Sequence, residues 1–456
     1  MKKPMALVVP FRFPGYRVDV VGAQTKAAEA LLRESGLDLV MADEVVTDRD
    51  ADALGVRHSP SAVDFVILLV PTWIEPPLVV RAVRHYQGKP VLLWGFTTFQ
   101  HEGWRVHIGG MAGSGATHGS LKALGIPHRF IIGMPDRPGL KEKIRDFAVS
   151  ARAASLMGRA KIGMVGYIFS GMHAGDPDSV SLRARLGPEI VHIDTYSLVK
   201  RMEVQDESGE EYRKAREKIL ASLAPGSTLE PAELVRISRM YAALDQIYRE
   251  KELDAITVKC NYELSQEFGQ SACIPLSALG DSLVASCEAD LCVTVTQLLL
   301  HYLADGAVTT YVDIHDLAEG KALVGACGYA PSTMCAGNCI VLGKPPAAAA
   351  GLAATFSGWI VNSSAMKSGQ VTIARLARRA DRFTLHYATG EALGDVGKVS
   401  EMDCPAYPTT EIALKDINED RFLQNSGSHH YAVVYEDVTA QIESYCRVAG
   451  IESLAD

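Results

Sequence analysis

Two carboxylates and a histidine pair are the residues of this chain most able to do chemistry. Glu288 stands in Cys-Glu-Ala-Asp just ahead of an apolar helical run, Asp313 closes Val308-Thr-Thr-Tyr-Val-Asp, and His429-His430 opens Tyr-Ala-Val-Val-Tyr. Two carboxylates and one imidazole make a hard, mostly oxygen donor set. Such a set suits Mn²⁺, or Mg²⁺ or Co²⁺, in octahedral geometry, and three protein ligands leave positions open for a substrate. Each residue also has a plainer reading. Glu288 can be a first-turn acid favoured by the helix dipole, Asp313 a turn or cap residue, and the histidines polar loop residues. Alternation along a strand places the two rings on opposite faces, so that one meets a cavity while the other packs.

A second group surrounds Gly109-Gly-Met-Ala-Gly-Ser-Gly-Ala-Thr-His118, a glycine-rich loop before a helical run. Its backbone N–H groups could face an anion or a ring of hydroxyls. It fails as a dinucleotide fingerprint because His118 stands where the third glycine belongs and the strand Val91 to Gly95 lies too far upstream. Trp94, His101, Trp104, Arg105 and His107 lie nearby, and amphipathic aromatics beside hydrogen-bonding side chains suit sugar recognition. Cys335 and Cys339 have no second pair at ligand spacing, so buried free thiols are expected there rather than zinc.

The elements that position these residues follow from hydrophobic rhythm. Short continuous apolar runs (Ala6 to Phe11, Leu37 to Met41, Phe65 to Val70, Val91 to Gly95, Phe130 to Gly133) alternate with helical stretches (Thr25 to Glu34, Pro77 to Tyr86, Ala116 to Leu124), the pattern of a parallel sheet covered on both faces. After a helix over about Leu140 to Gly158 the rhythm restarts at Lys161-Ile-Gly-Met-Val. It continues through Ile190 to Asp194, a charged helical stretch from Glu210 to Glu252, and Ala255 to Cys260. Beyond Ala307 come short strand-like pieces: Thr309 to Asp313, Trp359 to Val361, Gln370 to Leu376, Phe383 to Tyr387 and Tyr431 to Tyr435. Ala347 to Ala354 reads as a helix or connector. The expected class is α/β: two Rossmann-like doubly wound α/β domains (1–160 and 161–306) followed by a mostly antiparallel, β-barrel-like C-terminal domain (307–456).

Bulk properties narrow the function. The 456 residues carry 45 Lys+Arg against 54 Asp+Glu, and the basic residues are scattered, which argues against nucleic acid and anionic membranes. All nine cysteines lie at or after Cys260, an odd count better suited to a reducing, cytoplasmic compartment than to a disulfide framework. The apolar run after Met1-Lys-Lys-Pro is too short for a signal peptide, and no segment reaches the ~18 apolar residues of a spanning helix.

Cys-Glu288-Ala-Asp before a helix, Asp313 two dozen residues on, Lys367-Ser-Gly-Gln-Val-Thr-Ile-Ala-Arg-Leu and the late His-His together make the chain resemble the L-fucose/L-arabinose isomerase superfamily. The resemblance covers most of the chain and is strongest over 255–335 and 355–440. It implies an aldose–ketose isomerase with Mn²⁺ held by Glu288, Asp313 and His430, the second histidine of the pair. Glu288 and Asp313 would double as acid and base through an enediol, and Lys259 or His429 would bond substrate hydroxyls. It also implies a homo-oligomer, a trimer or trimer-based hexamer, in which Arg12, Trp94 and His118 act on a neighbour's sugar. Val324-Gly-Ala-Cys-Gly-Tyr-Ala-Pro lacks the further histidine of arabinose isomerases, so the three-ligand fucose-type site is the nearer comparison. The substrate is expected to be a free monosaccharide. An acidic (sulfonated or phosphorylated) hexose is the alternative, with Arg105, His107 and the glycine-rich helix start as its anion cradle. A non-catalytic sugar-binding protein is a further alternative, and a nicotinamide oxidoreductase is disfavoured by the failed glycine pattern.

Overall fold

A computed structural model describes residues 2–16, 18–343, 360–394 and 409–456, so the expectations for Ala347 to Ala354 and for Trp359 lie outside the described residues. The chain divides into two compact units: Met1–Met157 with Ala440–Gly450, and Gly158–Thr439 with Ile451–Asp456.

The first unit is built on a parallel sheet of β1 (Met5–Pro10), β2 (Asp38–Met41), β3 (Phe65–Val70), β4 (Val91–Gly95) and β7 (Arg129–Ile132), in the order β2-β1-β3-β4-β7. A short hairpin, β5 (Phe99–His101) and β6 (Trp104–Val106), stands apart from it. Every residue of β3 is buried. Its alternate side chains explain why: Val66, Leu68 and Val70 enter one core with Ala51, Leu54 and Val79, while Phe65, Ile67 and Leu69 enter the other with Ala28, Leu32 and Phe147. A strand covered on both faces must be apolar throughout, and that run is what the sequence shows.

The glycine-rich segment is not a loop. Helix Gly110–Ala123 begins inside it, capped by Gly109 at φ 76°. A Cβ on Gly110 would lie 2.6 Å from the Pro71 carbonyl oxygen, and one on Gly113 would lie 2.7 Å from the Ile74 nitrogen. These glycines let the helix press against the chain at residues 71–74, which is a packing role. Helix Thr439–Ala449 also supplies this unit: Ser150 Oγ donates to the Gln441 carbonyl at 2.9 Å, and Val448 packs on the core with Leu140 and Phe147.

The second unit holds a four-stranded parallel sheet of β8 (Lys161–Val165), β9 (Glu189–Ile193), β10 (Ala255–Val258) and β11 (Val284–Cys287), in the order β11-β10-β8-β9. The charged stretch expected as one helix is two, Glu210–Ser222 and Pro231–Glu250. They are parted at Pro225-Gly226, and the second starts with a proline at a position whose N–H needs no partner. The remaining strands are β12 (Thr309–Ala318), β13 (Lys321–Gly325), the short pair β14 (Leu342–Gly343) and β15 (Val361–Asn362), β16 (Ser368–Arg379), β17 (Arg382–Leu393), β18 (Thr410–Leu414), β19 (His430–Val434) and β20 (Glu452–Ala455). The ladder β16-β19-β12-β13-β18-β17 closes on itself through β16–β17, giving a six-stranded antiparallel barrel to which β20 adds in parallel beside β17. Closure leaves those six strands no free edge.

Helix Leu291–Leu303 joins the parallel sheet to the barrel. It packs on β10 and β11 and more extensively on β12, β16 and β19, and all but one of its residues are buried. Its sequence, Leu-Cys-Val-Thr-Val-Thr-Gln-Leu-Leu-Leu-His-Tyr-Leu, is apolar around most of its circumference, as such a position demands. Among the described residues no helix is long and apolar enough to cross a membrane.

Candidate active site

The site forms where helix Leu291–Leu303 starts. β11 ends at Cys287, and the next two residues, Glu288 (φ 64°) and Ala289 (φ 54°), both take left-handed conformations before Asp290 caps the helix. For residues with a Cβ each such conformation costs on the order of 1 kcal/mol or more, so the surroundings must enforce it. The turn brings the Glu288 carboxylate within 3.9 Å of His430 Nε2 on β19. Asp313 sits in the middle of β12 and pairs directly with His430, the first residue of β19.

His430 Nε2 lies 2.7 Å from Asp313 Oδ1 and 3.9 Å from Glu288 Oε2, while its Nδ1 lies 3.0 Å from Asp290 Oδ2. Its side chain is 1% exposed, against 12% for Glu288 and 16% for Asp313, so the carboxylates form the accessible face and the imidazole the floor. Burial works against charge on His430, but Asp313 and Asp290 outweigh it and raise the imidazole to about 10. Burial pushes Glu288 well above the usual carboxylate range, Cys327 and Asp313 push the same way, and His430 opposes them.

Asp290 is the organising residue. It is fully buried, accepts the cap hydrogen bond from Val293 N at 2.9 Å, and takes a 2.9 Å ion pair from the equally buried Arg375 of β16. Burial alone would raise its pKa, but Arg375 and His430 hold it well below the carboxylate range. Arg375 also donates to the His430 carbonyl at 3.0 Å. A carboxylate on Nδ1 fixes the ring and leaves Nε2 as the nitrogen offered to the site. The sequence presents Asp290 only as a helix cap, and nothing local marks Arg375, 85 residues away.

His429 departs from the expected alternation. The His429 and His430 ring centroids are 4.4 Å apart, because His429 precedes the strand and escapes its two-residue period. Ligand atoms of Asp313, His429 and His430 all lie within 4.8 Å of one another. Sequence reasoning did not anticipate a thiol group beside Glu288 either: Cys327 Sγ donates to Glu288 Oε1 at 3.2 Å, and Cys260 and Cys287 Sγ are 3.0 Å apart. All eight described cysteines are free, Cys335 and Cys339 included.

Lys259, expected on substrate hydroxyls, is buried at the end of β10. Its Nζ bonds the Glu263 carboxylate and, at 2.8 Å, Tyr167 Oη. The Lys259 ammonium and the Tyr167 hydroxyl outweigh burial and bring Glu263 down to about 2.

Five of the expected site residues belong to the first unit. Arg12 pairs with Glu44 at 2.7 Å, Arg105 Nε donates to Thr98 Oγ1 at 3.0 Å on the exposed hairpin, and His107 is exposed. His118 is half-buried, with Nδ1 2.7 Å from His128 Nε2. Trp94 requires a correction. It is a fully buried core residue whose indole N–H donates to the Gly133 carbonyl at 2.9 Å, because a tryptophan on a strand covered from both sides points into the core.

No family model matches the chain. Two solved structures of sugar-binding proteins resemble parts of it: a periplasmic solute binding protein from Actinobacillus succinogenes 130z with bound D-allose (10% identical, 58% of this chain and 82% of that one, TM-score 0.18) and a carbohydrate transporter from Acidothermus cellulolyticus 11B with myo-inositol (13%, 67% and 88%, TM-score 0.17). Scores this low carry no argument. Among characterised sequences, the sulfoquinovose isomerase of Alkalicoccus urumqiensis is 24% identical over 452 residues, covering 97% of each chain. Those of Priestia aryabhattai and Priestia megaterium are 23% identical over 468 residues, covering 99% of each. With these relatives aligned from end to end and the carboxylate–histidine arrangement in place, the chain is similar over its whole length to sulfoquinovose isomerases, and the expected resemblance to the L-fucose/L-arabinose isomerase-like superfamily holds.

Proposed function

We propose that this protein is an aldose–ketose isomerase of a sulfonated hexose, working through Glu288 and Asp313 with a divalent cation, Mn²⁺ foremost, at Asp313, His430 and Glu288. The supporting observation is the convergence of two accessible carboxylates on one buried imidazole nitrogen, in a chain whose full-length relatives are sulfoquinovose isomerases. The donor set fits the ion: His430 offers Nε2 because Asp290 occupies Nδ1, and His429 stands close enough to serve as a further ligand or to bond the sugar. When bound there, a divalent cation would polarise the sugar carbonyl and acidify the neighbouring carbon.

The chain's own groups account for the proton movements. Isomerisation takes a proton from C2, returns one to C1, and moves one from the C2 hydroxyl to the C1 oxygen, with no net change. Glu288, whose carboxyl burial pushes above the usual carboxylate range, suits the carbon-bound proton, since a raised carboxyl is a stronger base toward carbon. Asp313 faces the same space from the barrel wall and suits the exchange between oxygens. Arg105 and His107, exposed on the first unit, are the residues proposed to recognise the acidic group. A homo-oligomer with shared active sites belongs to this reading.

Turnover tests the proposal directly. Mn²⁺-loaded protein is expected to convert sulfoquinovose to its ketose, to lose this activity in EDTA, and to act far more slowly on glucose. Metal-dependent turnover of neutral sugars alone would overturn the sulfonated substrate, and no turnover of any sugar would overturn the isomerase.

Metal loading carries a pH signature. The proton on His430, raised to about 10, must leave before Nε2 can bind a cation. Loading near neutral pH should therefore release about one proton per ion, and affinity should rise about tenfold per pH unit. Because the folded pKa of His430 is raised, its proton stabilises the metal-free protein fully below about 6.5, and that contribution is lost as pH climbs toward 10. Calorimetry in buffers of different ionisation enthalpy counts the protons, and a count of zero would contradict the ligand assignment.

A further inference from the structure

The first unit contains a cavity of about 500 Å³ along the edge strand β7, between helix Gly110–Ala123, the start of helix Leu140–Met157 and helix Thr439–Ala449. Its rim carries four cations, Arg129, Arg137, Lys143 and Arg447, beside His118 and His128, and among the described residues no carboxylate lines it. Phe130, Ile131 and Val448 form an apolar base. We propose that this cavity is a binding site for a small organic oxyanion, a phosphate monoester or a sulfonate on a short carbon body, distinct from the isomerase centre.

Three observations carry the assignment. Arg129 is half-buried, and its Nη1 donates only to the neutral Ser444 Oγ, at 3.2 Å. Burial and the neighbouring Arg447 push this guanidinium down, and Asp146 and Glu443, which act on it without a hydrogen bond or ion pair to it, only partly oppose them. The acids nearby are turned to other partners: Glu443 lies in a 2.9 Å surface pair with Arg447, and Asp146 takes a 3.2 Å hydrogen bond from Gln441. The histidines form a relay with a defined polarity. His128 Nδ1 donates to the Ile126 carbonyl at 2.8 Å, so its Nε2 accepts from His118 Nδ1, and His118 keeps Nε2 out of the chain while its ring stacks on Phe130 at 5.0 Å. A guanidinium and an ammonium on a rim, over an apolar base, match an oxyanion head with a carbon tail. Neither the carboxylates and histidines of the isomerase centre nor Arg105 and His107 line the cavity, so the inference does not rest on the reaction proposed above.

Titration calorimetry on the metal-loaded full chain, with glycerol 3-phosphate in one arm and 2-hydroxyethanesulfonate in the other, tests it. At least one probe is expected to bind saturably and to weaken with added salt. Affinity should fall about tenfold or more in Arg129→Gln and several-fold in the exposed-residue variants Lys143→Gln and Arg447→Gln, while Glu288→Gln leaves it unchanged. Preference for one arm identifies phosphate or sulfonate as the head group. No saturable binding in either arm would overturn the proposal. So would binding that survives Arg447→Gln and Lys143→Gln combined but disappears in Glu288→Gln, which would place the ligand at the isomerase centre.

Discussion

Glu288→Gln is expected to fold normally and to lose turnover by about three orders of magnitude, the scale of removing a general acid–base group. The amide keeps the length of the side chain and can still accept from Cys327 Sγ, which lies 3.2 Å from Oε1, so packing around the two left-handed residues should survive. It cannot take up or release a proton, and it is a poorer ligand for a hard cation. The variant should therefore bind Mn²⁺ more weakly as well as turn over more slowly, with an unchanged melting profile for the metal-free protein. Full activity together with full metal content would remove Glu288 from both roles.

The second large effect is one of stability. Arg375→Met removes the guanidinium from a pair in which both side chains are fully buried, and leaves Asp290 with only His430 and a cap amide to answer its charge. Breaking a buried pair from one side costs about 3–5 kcal/mol, most of it from the stranded charge. Denaturant unfolding should show that loss. Arg375→Met combined with Asp290→Asn should lose clearly less than the two singles added together, since the double variant strands nothing. Both singles should also weaken Mn²⁺ binding by about 10- to 100-fold, because Asp290 orients His430 from behind. Additive losses, or unchanged metal affinity, would reduce the pair to ordinary core polarity.

The parallel sheets were legible because a strand buried on both faces has to be written in apolar letters, as Phe65–Val70 is. Glu288, Asp313 and His430 each had a plainer reading alone and stood out as a set only through the family resemblance, and the structure brings those three together. What stayed hidden depends on partners distant in sequence. Asp290 looks like any helix cap until Arg375 arrives from β16. Gly110 and Gly113 look like a phosphate loop until residues 71–74 are seen pressing on them. Trp94 looks like a sugar platform until the second layer of helices covers it, and the period-two rule failed at His429 because it applies only inside a strand.

Helix Thr439–Ala449 gives the first unit a history as well as a shape. Residues 1–157 leave the ribosome first, yet their fold is completed by residues 440–450, and residues 158–439 are synthesised in between. At about 10 residues per second that interval is roughly half a minute, during which Arg129 lacks Ser444, Ser150 lacks its carbonyl at Gln441, and Leu140 and Phe147 lack the cover of Val448. The nascent unit is thus held incomplete until residues 440–450 have been made, and the apolar surface awaiting that helix stays uncovered for the whole interval.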